Sequence, residues 1–115
     1  MHELALCQGL LTQVERIARE QAASSVERIV LSVGPLSGVE ASLLEHAFEI
    51  AKLDSVASGA ELEIQTGPVV VECRNCGNSN EASVNRLLCD ACGGWQVNLK
   101  QGDEMLLLRL ELSGL

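Results

Sequence analysis

Cys73-Arg-Asn-Cys76-Gly77 and Cys89-Asp-Ala-Cys92-Gly93 are two CxxCG knuckles separated by twelve residues. Thiolate sulfur is a strong zinc ligand, and two knuckles at this spacing let Cys73, Cys76, Cys89 and Cys92 converge on one tetrahedral ion. The glycine after each second cysteine suits the same geometry. That position is often forced to positive φ, which a residue without Cβ accepts at no steric cost, and backbone N–H groups can then point at the sulfurs. Four thiolates leave no coordination position open, so a zinc held here is structural and not hydrolytic. The competing readings of the same residues are a redox dithiol pair and a single iron held in the rubredoxin manner.

A second candidate stands at the start of the chain. The α-amine of Met1, the backbone nitrogen of His2 and its Nδ1 can close adjacent chelate rings around one ion, with the Glu3 amide nitrogen as a fourth donor. Four nitrogens in a plane suit Ni(II) or Cu(II) and suit zinc less well. Each donor must lose its proton, so affinity should weaken as pH falls. A large second residue normally blocks removal of the initiator, and Met1 is expected to remain and supply the amine. A histidine near a terminus is ordinarily just solvated, and residue types alone favour that plain reading over the metal site. Cys7 falls on an apolar helical stripe and reads as a buried structural thiol. His46, beside Glu45 and Glu49, reads as a surface histidine.

The elements that must position these groups follow from periodicity. From Glu3 to about Gln21, apolar residues recur at Leu4, Cys7, Leu11, Val14 and Ala18, the spacing of an amphipathic helix. Ile29, Leu31 and Val33 alternate in a strand from Arg28 that Gly34-Pro35 stops. Leu44, Ala47, Phe48 and Ala51 give a second helix ending near Asp54, with Glu40, Glu45, Glu49 and Lys52 towards water. Leu62, Ile64 and Thr66 mark another strand, Gly67-Pro68 interrupts, and Val69–Val71 leads into the cysteine segment. Leu106, Leu108, Leu110 and Leu112 share one face of a last strand, with Arg109 and Glu111 on the other.

The expected fold is α+β: two helices packed on a small β-sheet of about three strands, with an inserted four-cysteine ribbon. Residues 1–71 and 95–115 would form the α+β body and residues 72–94 the ribbon. Between Cys73 and Gly94 the chain has few apolar residues, too few to order it by burial alone, and metal must supply the missing stability.

Composition narrows the functional classes. At 115 residues with 47% apolar content, the chain can build one modest core. Aromatic residues are 2%, Phe48 and Trp95, so stacking on bases is hardly available. Sixteen acidic against eight basic residues give a formal charge of -8, and four thiolates on one zinc would take it to about -10. Such a surface repels phosphate backbones and anionic membranes and suits cationic ligands or basic partners. Nothing reads as a secretion signal or a membrane span, so the expected location is the cytoplasm. Paired cysteines in a cytosolic chain favour metal over disulfides.

Met1-His2-Glu3-Leu4, Val33-Gly34-Pro35-Leu36-Ser37-Gly38-Val39-Glu40, Ala47-Phe48-Glu49 and Gly59-Ala60-Glu61-Leu62, followed by the paired cysteines, occur in one chain. Together they resemble the HypA/HybF nickel metallochaperones of NiFe-hydrogenase maturation, and the similarity runs through almost the whole sequence. The resemblance implies a nickel carrier, not an enzyme, that works with a maturation GTPase and hands Ni(II) to the hydrogenase large-subunit precursor. In some bacteria such carriers also serve urease maturation proteins. By position, Met1, His2 and Glu3 look like the nickel-binding start, Cys73, Cys76, Cys89 and Cys92 like the zinc ligands, and Glu40 like an acidic position near nickel. The second knuckle departs from the pattern: Asp90 stands where proline commonly follows the first cysteine, and Gly93-Gly94-Trp95 comes after it. Neither departure removes a ligand. The other reading of the chain is a zinc-ribbon protein–protein adaptor with no transferable metal.

Overall fold

The computed structural model describes residues 2–114. Its elements are α1 (His2–Glu20), β1 (Ser25–Val33), α2 (Ala41–Ala51), β2 (Glu61–Thr66), β3 (Val70–Cys73), β4 (Ser79–Glu81), β5 (Val97–Gln101) and β6 (Met105–Ser113). They form two three-stranded sheets, ordered β2-β1-β6 and β4-β3-β5. The expected α+β architecture with a cysteine ribbon is the one observed, with two strands the sequence reading did not include: β4 has no apolar residue, and β5 alternates only Val97 and Leu99 with Asn98 and Lys100.

The chain divides into two compact units. The first takes in the chain up to Leu31, Val39–Gln65 and the chain from Leu106; the second takes in Ser32–Gly38 and Thr66–Met105. The unit that contains the four cysteines is therefore wider than residues 72–94.

In the first unit the period of α1 buries Cys7, Leu10, Leu11, Val14 and Ala18. From α2, Leu44 and Phe48 are fully buried, as are Ile29 and Leu31 of β1. Side chains of this size each contribute about 1.5–3 kcal/mol on leaving water, which makes this the principal core. α1 ends in a Schellman turn: Ala23 N–H donates to the Ala18 carbonyl at 2.8 Å and Ala22 N–H to that of Arg19 at 3.1 Å, with Ala22 in the left-handed region at φ 57°. α2 stops at Ala51, three residues before the expected end, and the chain turns through Asp54 at φ 63°.

The last strand, β6, forms as its alternation implies, but its leucine face is only partly covered. Leu106 and Leu108 are 45% and 50% exposed, and Leu110 and Leu112 are only half-buried. Alternation fixes which side chains share a face, but β6 is an edge strand, and the period carries no information on whether anything covers that face.

In the second unit β3 lies between two antiparallel partners, with Val71 opposite Asn80 on β4 and Leu99 on β5, and a bulge at Val70/Val71. The loop after β1 belongs to this unit. Gly34 N–H donates to the Glu104 carbonyl at 2.8 Å and Leu36 N–H to the Gly102 carbonyl at 2.7 Å. A Cβ on Gly34 would sit 2.2 Å from the Gly102 carbonyl oxygen, so only glycine allows the two backbones to approach this closely.

Candidate metal centre

β3 delivers Cys73, paired with Val97 of β5, and the chain turns at once into the first knuckle. Both knuckles are closed by the same two backbone bonds. Cys73 N–H donates to the Asn78 carbonyl at 2.8 Å and Gly77 N–H to that of Cys73 at 3.0 Å; Cys89 N–H donates to the Gly94 carbonyl at 2.9 Å and Gly93 N–H to that of Cys89 at 2.9 Å. Gly77 and Gly93 have φ 77° and 74°, the left-handed conformation that their spacing after the cysteines implies. Gly94 has a different reason for being glycine, since a Cβ there would lie 3.2 Å from Cys92 Sγ.

The four sulfurs lie within 4.8 Å of one another, with Cys73–Cys92 at 3.7 Å and Cys76–Cys89 at 3.6 Å. A tetrahedron of thiolates at ordinary zinc–sulfur length has an edge of about 3.8 Å, so the donor set fits that ion. Cys73 and Cys89 are buried, whereas Cys76 and Cys92 reach solvent.

Electrostatics divides the thiols in the same way. The Cys73 thiol is pushed below its ordinary range, first by the N–H of Cys76 and then by that of Asn75. Cys89 is lowered to about 6, chiefly by the N–H of Cys92. At Cys76 the Asn78 N–H favours the thiolate, but the Cys89 sulfur, desolvation and the other two thiols together push it up to about 12. Cys92 is likewise raised: the Gly94 N–H favours its thiolate, but the Cys73 and Cys89 sulfurs and desolvation outweigh it. Each close sulfur pair thus contains one readily ionised thiol and one that holds its proton, because four negative charges cannot share this volume without a cation.

At the other candidate, the Met1 amine lies outside the described residues. His2 opens α1 with its side chain 57% exposed and Nδ1 3.5 Å from a Glu3 carboxylate oxygen. Glu3 is 9% exposed. Its carboxylate is held below the usual range by its own backbone N–H first and, against some desolvation, by the N–H of Glu40 and the charges of His2 and the terminus. The start of α1 is in this way tied to the residue that caps α2. The first N–H groups of a helix have no intrahelical acceptor, so the amides this chelate would use are not committed to the helix.

Cys7 is fully buried with its thiol 3.5 Å from the Leu44 carbonyl, and burial pushes that thiol up. His46 is exposed, as a surface histidine would be, and lines an open cavity of about 340 Å³ with Ser42, Glu45, Glu49 and Leu62. Among the described residues, His2, Glu3, Glu40 and His46 do not gather into a group of three metal-binding side chains, whereas the four cysteines do.

The sequence reading missed the groups around the sulfurs. Asn78 and Asn80 reach across to the second knuckle at Asp90 and Leu88. Their spacing of two, directly after Cys76-Gly77, was the available signal, since it places both on one side of an extended chain.

Comparison with known proteins agrees with this arrangement. Residues 1–112 match the family described as "Hydrogenase/urease nickel incorporation, metallochaperone, hypA". The chain is 42% identical over 112 residues to hydrogenase maturation factor HypA of Nitrosospira multiformis and, equally, to that of Aquifex aeolicus, covering 97% of each sequence and 97% of this chain. In structure it is similar to the nickel metallochaperone HypA from Helicobacter pylori, with TM-score 0.77 at 31% identity, covering 96% of this chain and 97% of that one.

Proposed function

The chain belongs to the HypA family, and from that premise we propose that it carries Ni(II) at its N-terminus and delivers it during maturation of NiFe-hydrogenase. Nickel is the cargo, bound by the Met1 amine, His2 and Glu3. Zinc is the resident metal, held by Cys73, Cys76, Cys89 and Cys92. The observation that carries the reading is the convergence of four sulfurs at tetrahedral spacing in a chain that matches the nickel-incorporation metallochaperone family over residues 1–112.

The two sites suit different tasks. The thiolate site is closed, with every position occupied by protein, and supplies stability to residues 72–94. The terminal site lies at an exposed histidine, where a partner's ligands can compete for the ion. Binding nickel there requires His2 Nδ1 to leave the Glu3 carboxylate and the backbone amides to give up protons. Acidification returns those protons and releases the ion, and a partner's ligands can take it by direct competition. The chemistry is ligand exchange, with no covalent bond made in a substrate, so the protein acts as a carrier and not as an enzyme.

The partners this reading implies are a maturation GTPase and the hydrogenase large-subunit precursor, with urease maturation proteins as further recipients. No helix of the described residues is long and apolar enough to cross a membrane, which accords with work in the cytoplasm. Residues 1–71 and 95–115 serve as the nickel-binding domain in this scheme, and residues 72–94 as the zinc ribbon.

Trp95, 75% exposed directly after the second knuckle, favours a second reading in which the ribbon docks on another protein and no metal is transferred. Calorimetry on the untagged, zinc-loaded chain separates the two. Wild type is expected to take up one Ni(II), and His2→Gln, which keeps a large second residue and hence Met1, to lose that uptake. Nickel binding that never appears, or survives the substitution, would return the ribbon adaptor to first place.

A further inference from the structure

Cys89–Cys92 lies in no strand, and side-chain amides tie it to the neighbouring sheet. Asn80 sits on β4 opposite Val71. Its Nδ2 donates to the Leu88 carbonyl at 3.2 Å and its Oδ1 accepts the Asp90 N–H at 3.2 Å. The amide therefore brackets Cys89 as the backbone of an adjacent strand would, bonding the residue on each side of the ligand. A further bond from Nδ2 to the Glu81 carbonyl at 2.9 Å fixes its orientation.

Asn78 completes the arrangement. Its Nδ2 donates to the Asp90 carboxylate at 2.8 Å and to Asn80 Oδ1 at 3.2 Å, and lies 3.9 Å from Cys89 Sγ. Its carbonyl accepts the Cys73 N–H at 2.8 Å. One residue thus touches both knuckles, and Asp90, which departs from the proline common at its position, is the acceptor that this contact needs.

We propose that Asn78, Asn80 and Asp90 are positioning residues of the thiolate centre: they clasp the second knuckle to the first, seat Cys89 among the other sulfurs and set how slowly the metal leaves. The inference rests on zinc being the resident ion. Groups that orient ligands without touching the metal typically change its affinity by about 10–100-fold.

The test is the rate of zinc release from the full-length, zinc-loaded chain into excess chelator. Asn80→Ala is expected to release zinc at least about 10-fold faster than wild type. Asn78→Asp, which sets two carboxylates face to face, should also accelerate release. Adding Asp90→Asn to it exchanges donor and acceptor across the same contact and should recover part of the loss, leaving the share due to the missing N–H at Cys89. The cobalt-substituted variants should show a shifted ligand-field spectrum while thermal unfolding of the helices stays in place, a pairing that a general loss of stability would not produce. Release at the wild-type rate in both single variants, or a double variant no slower than Asn78→Asp alone, would overturn the inference. A wild type that takes up no zinc would instead overturn the zinc reading, and the inference with it.

Discussion

Asn78 shows how the same residue serves the metal centre twice, through its backbone N–H at Cys76 and its side chain at Asp90. The thiols around it titrate unequally, and that sets the proton balance of metal binding. Near neutral pH Cys76, pushed up to about 12, keeps its proton, and so does the raised Cys92, so an incoming zinc must displace both. Cys89, lowered to about 6, has already lost its own. As pH falls through about 6 that proton returns and becomes another competitor. The logarithm of the zinc affinity is therefore expected to fall more steeply with acidification below pH 6 than above it. Competition titrations against a chelator across this range check the point, and a single unbroken slope would count against it.

At the scale of elements, α1 does most of the organising, and its end has an identifiable weakness. The Schellman turn needs a left-handed residue at Ala22. An L-residue there costs roughly 1–2 kcal/mol, partly offset in glycine by the entropy it loses on folding. Ala22→Gly is expected to stabilise the protein by about 0.5–1 kcal/mol, seen as a higher midpoint in thermal or denaturant unfolding. A lower midpoint would show that the turn is held by its contacts and not limited by its φ. On β1, Arg28 lies among carboxylates of both flanking strands, 3.0 Å from Glu63, 3.2 Å from Glu61 and 3.7 Å from Glu111. Together with Arg109, 3.0 Å from Glu111, it offsets part of the negative charge that these carboxylates of β2 and β6 bring to the sheet.

For the whole molecule, the division into two units separates the helices from the sulfurs. α1 and α2 lie in the unit whose core is Leu, Ile, Val and Phe48, and all four ligands lie in the other. Stripping zinc with a chelator is therefore expected to leave the helical far-ultraviolet circular dichroism nearly unchanged while amide exchange quickens across residues 70–101. Loss of the helical signal in step with zinc removal would show that the apolar core cannot stand without the metal. The net charge of -8 suits an acidic carrier that receives a cation and meets basic partners by electrostatic steering.

What depends on residue type and on spacing along the chain was legible before any folding. The two knuckles were readable because ligation needs four thiols and two turns, each contained in five consecutive residues. α1 and α2 were readable because burial on one face imposes a period, as was β1 through Ile29, Leu31 and Val33, and β2 was readable from the alternation of Leu62 and Ile64 with Glu61, Glu63 and Gln65. Tertiary structure decided what depends on partners distant in the chain. β4, Ser79–Glu81, is a strand only because β3 lies beside it. Leu106 and Leu108 alternate correctly and remain exposed because no period records what lies opposite. The loop at Gly34 joins the cysteine unit through Gly102 and Glu104, nearly seventy positions away, and Asn80 becomes a support for Cys89 only when the chain returns to it. Periodicity reports the environment of a face; the contacts that complete a site come from chain closure, which local pattern does not encode.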